Sequence, residues 1–338
     1  MLDVGLIGVG SDWDKRYRPV LNRLRSRLRI RAIYAPVANR ADSVASEFQA
    51  VWSPGLCALL ERPDLKAVLV LDSGWTAHVP AQLACDRGKP VFFAGASAIG
   101  PSAIAHLAAQ SAESGTTLMP DLRLRYLPAT LRLRELLATK LGRPKLLRLE
   151  LEPPADSTQD ERLQARLVEL LDWCRALVGT IPVSASLARN GSLHNGHSAL
   201  NGHAVVNGHV PESDVGAQTL FEVQFAKPAR GGEATRVELL RKGAGALTGA
   251  DPLAAELRVE CEGGWAEIRE THAIRWQTTG GEETMESLAD ERDDLELMLD
   301  HFSRRVVGGL VPVPTFEDIR DAWQLLDGLE PHGDLSGG

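Results

Sequence analysis

Glu169 and Asp172 stand three residues apart in the stretch 162–177, which reads as a helix. At that spacing both carboxylates project from neighbouring positions on one helical face. If burial moves their proton affinities apart, such a pair can do acid–base work. An acidic face turned to water has the same spacing, and it is the plainer of the two readings. A second feature with chemical potential is the turn Gly8-Val9-Gly10, which follows the apolar run Val4, Leu6, Ile7 and precedes a basic, apolar segment. Glycine at the first position permits a tight turn, and at the second it lets backbone approach a pyrophosphate. A helix after the turn would aim its N-terminal N–H groups at the phosphates. Gly8, Gly10, Ser11, Asp12 and Trp13 are therefore candidate cofactor contacts. Trp13 holds the position where a small residue normally lets helix pack closely on strand, so the turn must open outward or be reshaped.

The chain that positions these residues has 338 of them, a length that suits two domains rather than one core. A net charge of −8 argues against nucleic acid as a partner, because neutralising phosphates needs a basic surface. Eight of the seventeen residues from Lys15 to Arg31 are nonetheless Lys or Arg. They read as a solvated helix face and a strand with Arg27, Arg29 and Arg31 pointing outward, with phosphate steering as the alternative. Cys57, Cys85, Cys174 and Cys261 lie far apart and read as buried thiols of a reducing compartment. The N-terminus enters a strand directly, without a basic leader and cleavage site. There is no run of about 20 apolar residues to span a membrane. The expectation is a cytoplasmic protein that contacts no membrane.

Apolar strands and helices alternate through the first third of the chain. Strands are expected near 4–9, 28–35, 67–71, 90–93 and 116–119, with helices at 40–48, 55–60, 80–87 and 102–114. That rhythm implies right-handed crossovers and an open, doubly wound parallel sheet, a Rossmann-like arrangement over 1–122. The second strand ends in Ala35-Pro36, where an acidic side chain would ordinarily bind the adenosine ribose. Arg40 nearby is either a contact for a phosphorylated ribose or an ordinary surface arginine. From 123 to 330 the pattern changes to an α+β domain on a largely antiparallel, open-faced sheet. Strands are expected near 145–151, 183–187, 218–225, 233–242, 253–260 and 266–277, with helices at 290–307 and 316–329. Asn-Gly-His recurs at Asn195, Asn201 and Asn207 within an inserted surface loop, 190–214. Tight turns suit it, and sharing one metal between its histidines would need it to fold tightly. No metal is assigned. Residues 331–338 read as a flexible tail.

The order of elements resembles the Gfo/Idh/MocA family of oxidoreductases over nearly the whole chain. The likeness rests on the N-terminal Gly-Val-Gly, Asn39–Phe48, Trp75-Thr-Ala-His78, Gly88-Lys-Pro-Val, Arg125-Tyr-Leu-Pro128, Leu141-Gly-Arg-Pro144 and His301–Gly309. It implies NAD or NADP as cofactor and a sugar or related polyol as ligand. It also implies a homo-oligomer packed through the C-terminal sheet. By the same resemblance Ser73, Trp75 and His78 would face the cofactor, and Arg125 and Tyr126 would border the interdomain cleft. For His78 a helix-start histidine bonded to backbone is equally reasonable, and Trp75 would otherwise cover the sheet edge.

The resemblance breaks where chemistry should be. The family's Glu-Lys-Pro, whose lysine polarises or positions the reacting hydroxyl, corresponds here to Ala94-Gly95-Ala96. Its catalytic histidine corresponds to Glu169 and an earlier aspartate to Ala165, while Asp172 is kept. A general acid must reach the proton it moves, and Gly95 has no side chain with which to do so. These substitutions favour a catalytically degenerate protein with a binding, sensing or assembly role. The alternative is an active NAD(P)-dependent oxidoreductase whose lost groups are replaced by Glu169, Asp172 or His78.

Overall fold

The computed structural model describes residues 1–151, 160–180, 182–187, 218–227, 233–241 and 255–327. The expected insertion 190–214, with its Asn-Gly-His repeat, and the tail 331–338 lie outside the described residues.

Six short apolar segments line up as parallel strands: β1 (Leu2–Ile7), β2 (Leu28–Tyr34), β3 (Val51–Trp52), β4 (Ala67–Val70), β5 (Val91–Phe93) and β6 (Leu118–Pro120). Their order is β3-β2-β1-β4-β5-β6, with every neighbour parallel. The strand order therefore reverses between β1 and β4, the place where open α/β sheets bind ligands outside the carboxyl ends of their strands. The crossovers carry α1 (Arg18–Arg23), α2 (Ala38–Phe48), α3 (Leu56–Leu60), α4 (Val79–Asp86) and α5 (Pro101–Ser114). Pro19 stands in the first turn of α1, where its missing N–H is no loss. The arginines around it are engaged locally: Arg18 with Glu47, Arg29 with Asp3, and Arg31 with Asp64.

After α6 (Pro128–Leu136) comes the second sheet, built from β7 (Pro144–Leu151), β8 (Pro182–Leu187), β9 (Gln218–Phe225), β10 (Arg236–Arg241), β11 (Ala255–Cys261), β12 (Gly264–Glu270), β13 (Ala273–Thr278) and β14 (Thr284–Ser287). Its order is β14-β13-β12-β11-β7-β10-β9-β8; all neighbours are antiparallel except β10 beside β7. The run 266–277, expected as one strand, is two. Glu270 pairs with Ala273, so Thr271 and His272 form a two-residue hairpin loop that hydrophobic alternation does not reveal. α7 (Asp160–Val178) lies between β7 and β8, and α8 (Asp294–Val306) and α9 (Phe316–Asp327) follow β14.

One face of the second sheet is apolar and continuous with α6, α7 and α9, through Leu147, Leu149, Leu257, Leu133, Trp173 and Ile319. The other face carries charged side chains joined across strands, including Arg148 with Glu238 and Glu260, and Arg269 with Glu256. α8 does not stay with the sheet it follows. Its stripe Leu295, Met298, Leu299 and Phe302 packs on the first sheet beside Val4, Leu6 and Phe92, with the Phe302 ring edge-on to Phe92 at 6.1 Å. On the opposite face Phe93 meets Phe316 of α9 at 6.0 Å. These two helices fix how the halves of the chain face each other, and a cleft forms where they do.

Candidate functional site

The cleft opens at the carboxyl ends of β1, β4, β5 and β6 and has a volume of about 560 Å³. Each strand end contributes to it: Asp12 beyond β1, Asp72, Ser73 and Gly74 beyond β4, Gly95 beyond β5, and Asp121 beyond β6. Arg16 and Tyr17 close one side, Arg123 another, and α7 supplies Arg166 and Glu169 from across the interface.

The glycine turn is shaped by Asp72. Gly8 has φ +89°, and a Cβ there would collide with the Asp72 carbonyl. A Cβ on Gly10 would collide with the Asp72 carboxylate, which is itself held by the Gly74 N–H at 2.9 Å. Trp13 does not face the cleft. It is 4% exposed, its ring edge-on to Phe48 at 5.9 Å. The chain makes room for it by widening residues Trp13–Tyr17 into a single π-helical turn, and only six α-helical residues follow. The turn is thus reshaped rather than opened outward. Ser11 is exposed and donates to Asp12 at 3.5 Å. Beyond β2, Ala35 is buried and Pro36 exposed, and Arg40 donates to the Val9 carbonyl at 3.3 Å.

At β5 the backbone turns at Gly95 with φ +70°, and nothing lies within 4 Å of where a Cβ would be. His78 stands at the start of α4, as its helix-start reading required, but its side chain makes no capping bond and it does not line the cleft. The side chain of Trp75 lies outside the described part of the structure.

Glu169 and Asp172 part company. Three residues leave two side chains about 60° apart around a helix, and α7 sits where that angle divides cleft from core. Glu169 reaches the cleft, accepting from Ser97 Oγ at 2.7 Å and from Arg166 Nη1 at 3.0 Å. Asp172 is 1% exposed, so the acidic-face reading fails for it. Arg125 donates to both its oxygens, from Nε at 2.8 Å and from Nη2, and Nη2 also lies 3.2 Å from Asp318. Arg175 completes the group with Asp318 at 2.7 Å and Asp321 at 2.8 Å. Burial pushes the Asp172 carboxyl up, opposed by the Arg125 bonds; Asp318 stays below the ordinary carboxylate range because Arg125 and Arg175 outweigh its burial. Arg125 and Asp172 therefore hold the fold together, with the Arg125 Nε and Nη2 and both Asp172 oxygens engaged, and neither residue lines the cleft. Tyr126 is likewise buried, edge-on to His301 at 5.4 Å, and burial pushes its hydroxyl up to about 12.

Residues that sequence reasoning passed over make up much of the cleft. Asp121 is almost enclosed, accepting from Arg16 Nη2 at 3.1 Å, and Arg16 also reaches Asp294 at the head of α8, 3.4 Å away. Burial raises the Asp121 carboxyl against the pull of Arg16, and Asp294 pushes it further up. Burial likewise raises the Tyr17 hydroxyl. The signal that would have found Asp72 and Asp121 is positional: each directly follows an apolar parallel strand, or nearly so. Cys57 is exposed, contrary to expectation; the other three thiols are buried. Among the described residues no group of three or more His, Cys, Asp or Glu is placed to hold a metal ion, and no helix is long and apolar enough to cross a membrane.

Neither a protein-family model nor a curated protein matches the chain. Solved structures do. UDP-N-acetylglucosamine 3-dehydrogenase GnnA from Acidithiobacillus ferrooxidans is 18% identical, with 97% of each chain covered and a TM-score of 0.69. Aldose-aldose oxidoreductase from Caulobacter crescentus, complexed with glycerol, is 17% identical over 96% of this chain and 95% of that one, with a TM-score of 0.68. KijD10, a 3-ketoreductase from Actinomadura kijaniata in complex with NADP and TDP-benzene, is 18% identical over 97% and 96%, with a TM-score of 0.66. These neighbours are Gfo/Idh/MocA-type oxidoreductases, and at such identities what the chain shares with them is the fold.

Proposed function

We propose that this protein is a catalytically degenerate relative of the sugar oxidoreductases whose fold it shares, and that its cleft binds a small polyhydroxylated ligand, a carbohydrate or polyol. The observation that carries the reading is the wall beyond β5. Where the resemblance places a lysine, Gly95 leaves open space, and among the described residues no lysine or histidine lines the cleft. A transition-state contact that is missing lowers catalysis directly, whereas a ground-state binding site survives its loss. What remains suits hydroxyls. Asp12, Asp72, Asp121 and Glu169 offer acceptors, Ser73 donates or accepts, and Arg123 and Arg166 donate, with Leu71, Ala77 and Ile99 as apolar floor for a ring face.

The test is a panel of sugars, polyols and sugar acids measured by thermal shift, in parallel with turnover assays containing NADH or NADPH. The expected result is a saturable rise in melting temperature with at least one sugar, without oxidation or reduction of nicotinamide. A ligand at about 100 times its Kd should add about 2.7 kcal/mol. Turnover with any of them overturns the reading, as does a panel in which no sugar moves the melting temperature.

One placement favours the second reading, an active NAD(P)-dependent oxidoreductase. Glu169 alone of the three substitute residues reaches the cleft. That reading requires turnover that Glu169→Gln abolishes.

A further inference from the structure

The fold implies a nicotinamide dinucleotide, and the residues at the glycine turn do not fit one. We infer that Asp72 closes the pyrophosphate end of the cleft, so that this protein takes its ligand without a dinucleotide cofactor. In a dinucleotide site the second glycine leaves its face bare for phosphate. Here that face is already covered, because the Asp72 carboxylate lies against Gly10 and its carbonyl against Gly8. Both glycines are accounted for by seating the end of β4 rather than by leaving room for a ligand.

One bond orients the carboxylate over the turn: its Oδ1 accepts the Gly74 N–H at 2.9 Å. Nor is its charge cancelled. Among the described residues neither Asp72 nor Asp12 takes part in an ion pair, and both line the cleft. Arg16, the cation nearest in sequence on that wall, is engaged by Asp121 and Asp294, and Arg40 by the Val9 carbonyl. A diphosphate placed here would meet the carboxylates of Asp72 and Asp12. The usual compensation is missing as well. The turn leads into a π-helical turn headed by Asp12, then a helix of six residues, so there is no regular helix N-terminus to gather phosphate oxygens. At the far end Ala35 supplies no acceptor for ribose hydroxyls.

This inference deepens the reading of the cleft as a binding site and rests on it only in taking the cleft as the place a ligand occupies. Its test is isothermal titration calorimetry of the full chain with NADPH, NADH and inorganic pyrophosphate. The wild type is compared with Asp72→Ala and with Asp72→Asn, which keeps the shape of the side chain and drops its charge. The wild type is expected to show no saturable binding of any of the three. At least one variant, folded by circular dichroism and melting temperature, is expected to bind NADPH or pyrophosphate at least about tenfold more tightly. Saturable binding of a dinucleotide by the wild type overturns the inference. So does the failure of both variants, each folded, to bind any better than wild type. The sugar thermal shift is read on the same samples, so the two ideas fail separately. A sugar response with dinucleotide binding in the wild type sinks only the exclusion. Loss of the sugar response with the nucleotide pattern as expected sinks only the carbohydrate reading.

Discussion

Two groups of carboxylates, one bound behind the cleft and one lining it, serve opposite ends. Behind the cleft, Asp172, Asp318 and Asp321 are matched by Arg125 and Arg175 in a network of short, directed bonds. In front, Asp12 and Asp72 look into the cleft with no ion-pair partner among the described residues. Asp172, the innermost of the first group, stays buried because its charge is cancelled; an isolated ion could not stay there. The second is tolerated because water or a ligand solvates it. The same residue type is structural in one place and a determinant of what may enter in the other, and the difference is the nearest guanidinium.

The comparison breaks most sharply at Asp172. Asp172→Ala strands the Arg125 guanidinium with Asp318 as its remaining partner, and it should lower the unfolding free energy by about 3 to 5 kcal/mol. Asp72→Ala removes one exposed hydrogen bond and should cost about 1 kcal/mol or less. Urea midpoints at unchanged slope measure both; equal losses would erase the distinction between the two groups.

The glycine turn gives a finer version. Gly8→Ala meets both a left-handed backbone and the Asp72 carbonyl, and about 2 kcal/mol or more should be lost. Gly10→Ala meets mainly the Asp72 side chain, so adding Asp72→Ala should restore about 1 kcal/mol to Gly10→Ala and nothing to Gly8→Ala. Absence of that coupling would mean the carboxylate does not rest on Gly10. Nearer the buried network, Trp173 Nε1 donates to Thr130 Oγ1 at 3.0 Å in a fully buried setting. Thr130→Val should cost about 1 to 3 kcal/mol by leaving that donor without an acceptor, read by denaturation followed through tryptophan fluorescence.

The smallest expected effect is a pH dependence. Burial lowers the His301 pKa from 6.5, with Arg304 and Arg292 adding to it and Asp300 opposing, and its Nδ1 is buried with no partner among the described residues. The unfolded chain therefore binds this proton at higher pH than the folded one. Stability tied to His301 is complete above pH 6.5 and declines as pH falls through the window below it. The melting temperature of His301→Gln should fall less than that of wild type between about pH 7 and about pH 5. Parallel curves for the two proteins would remove His301 from the account.

Much of the fold is legible in the chain because its signals are local. Apolar runs bounded by Gly and Pro mark β1, β4 and β5, alternation marks β7 and β11, and the Leu295–Phe302 stripe marks α8. The hairpin at Thr271-His272 escaped, since an apolar alternation continues across it. At the site, Gly8, Gly10, Asp12, Ser73 and Glu169 were legible from spacing or resemblance, and all but the two glycines line the cleft. Asp72 and Asp121 offered only the positional signal of following an apolar strand, and Arg16 and Arg166 offered none, because no residue beside them in sequence announces what they face.

By itself the sequence determined two sheets of different kinds, the glycine turn and the blank at Gly95, each a property of a few consecutive residues. Only the tertiary structure decided that Glu169 faces the cleft while Asp172 is locked away, and that Asp72 covers the turn. The reason is range. A carboxylate takes its role from the charge within a few ångströms of it, and Arg125 lies 47 residues from Asp172 while Arg16 lies 278 from Asp294. Those distances in sequence are bridged only when α7 packs on the segment that carries Arg125 and α8 returns to pack on the first sheet.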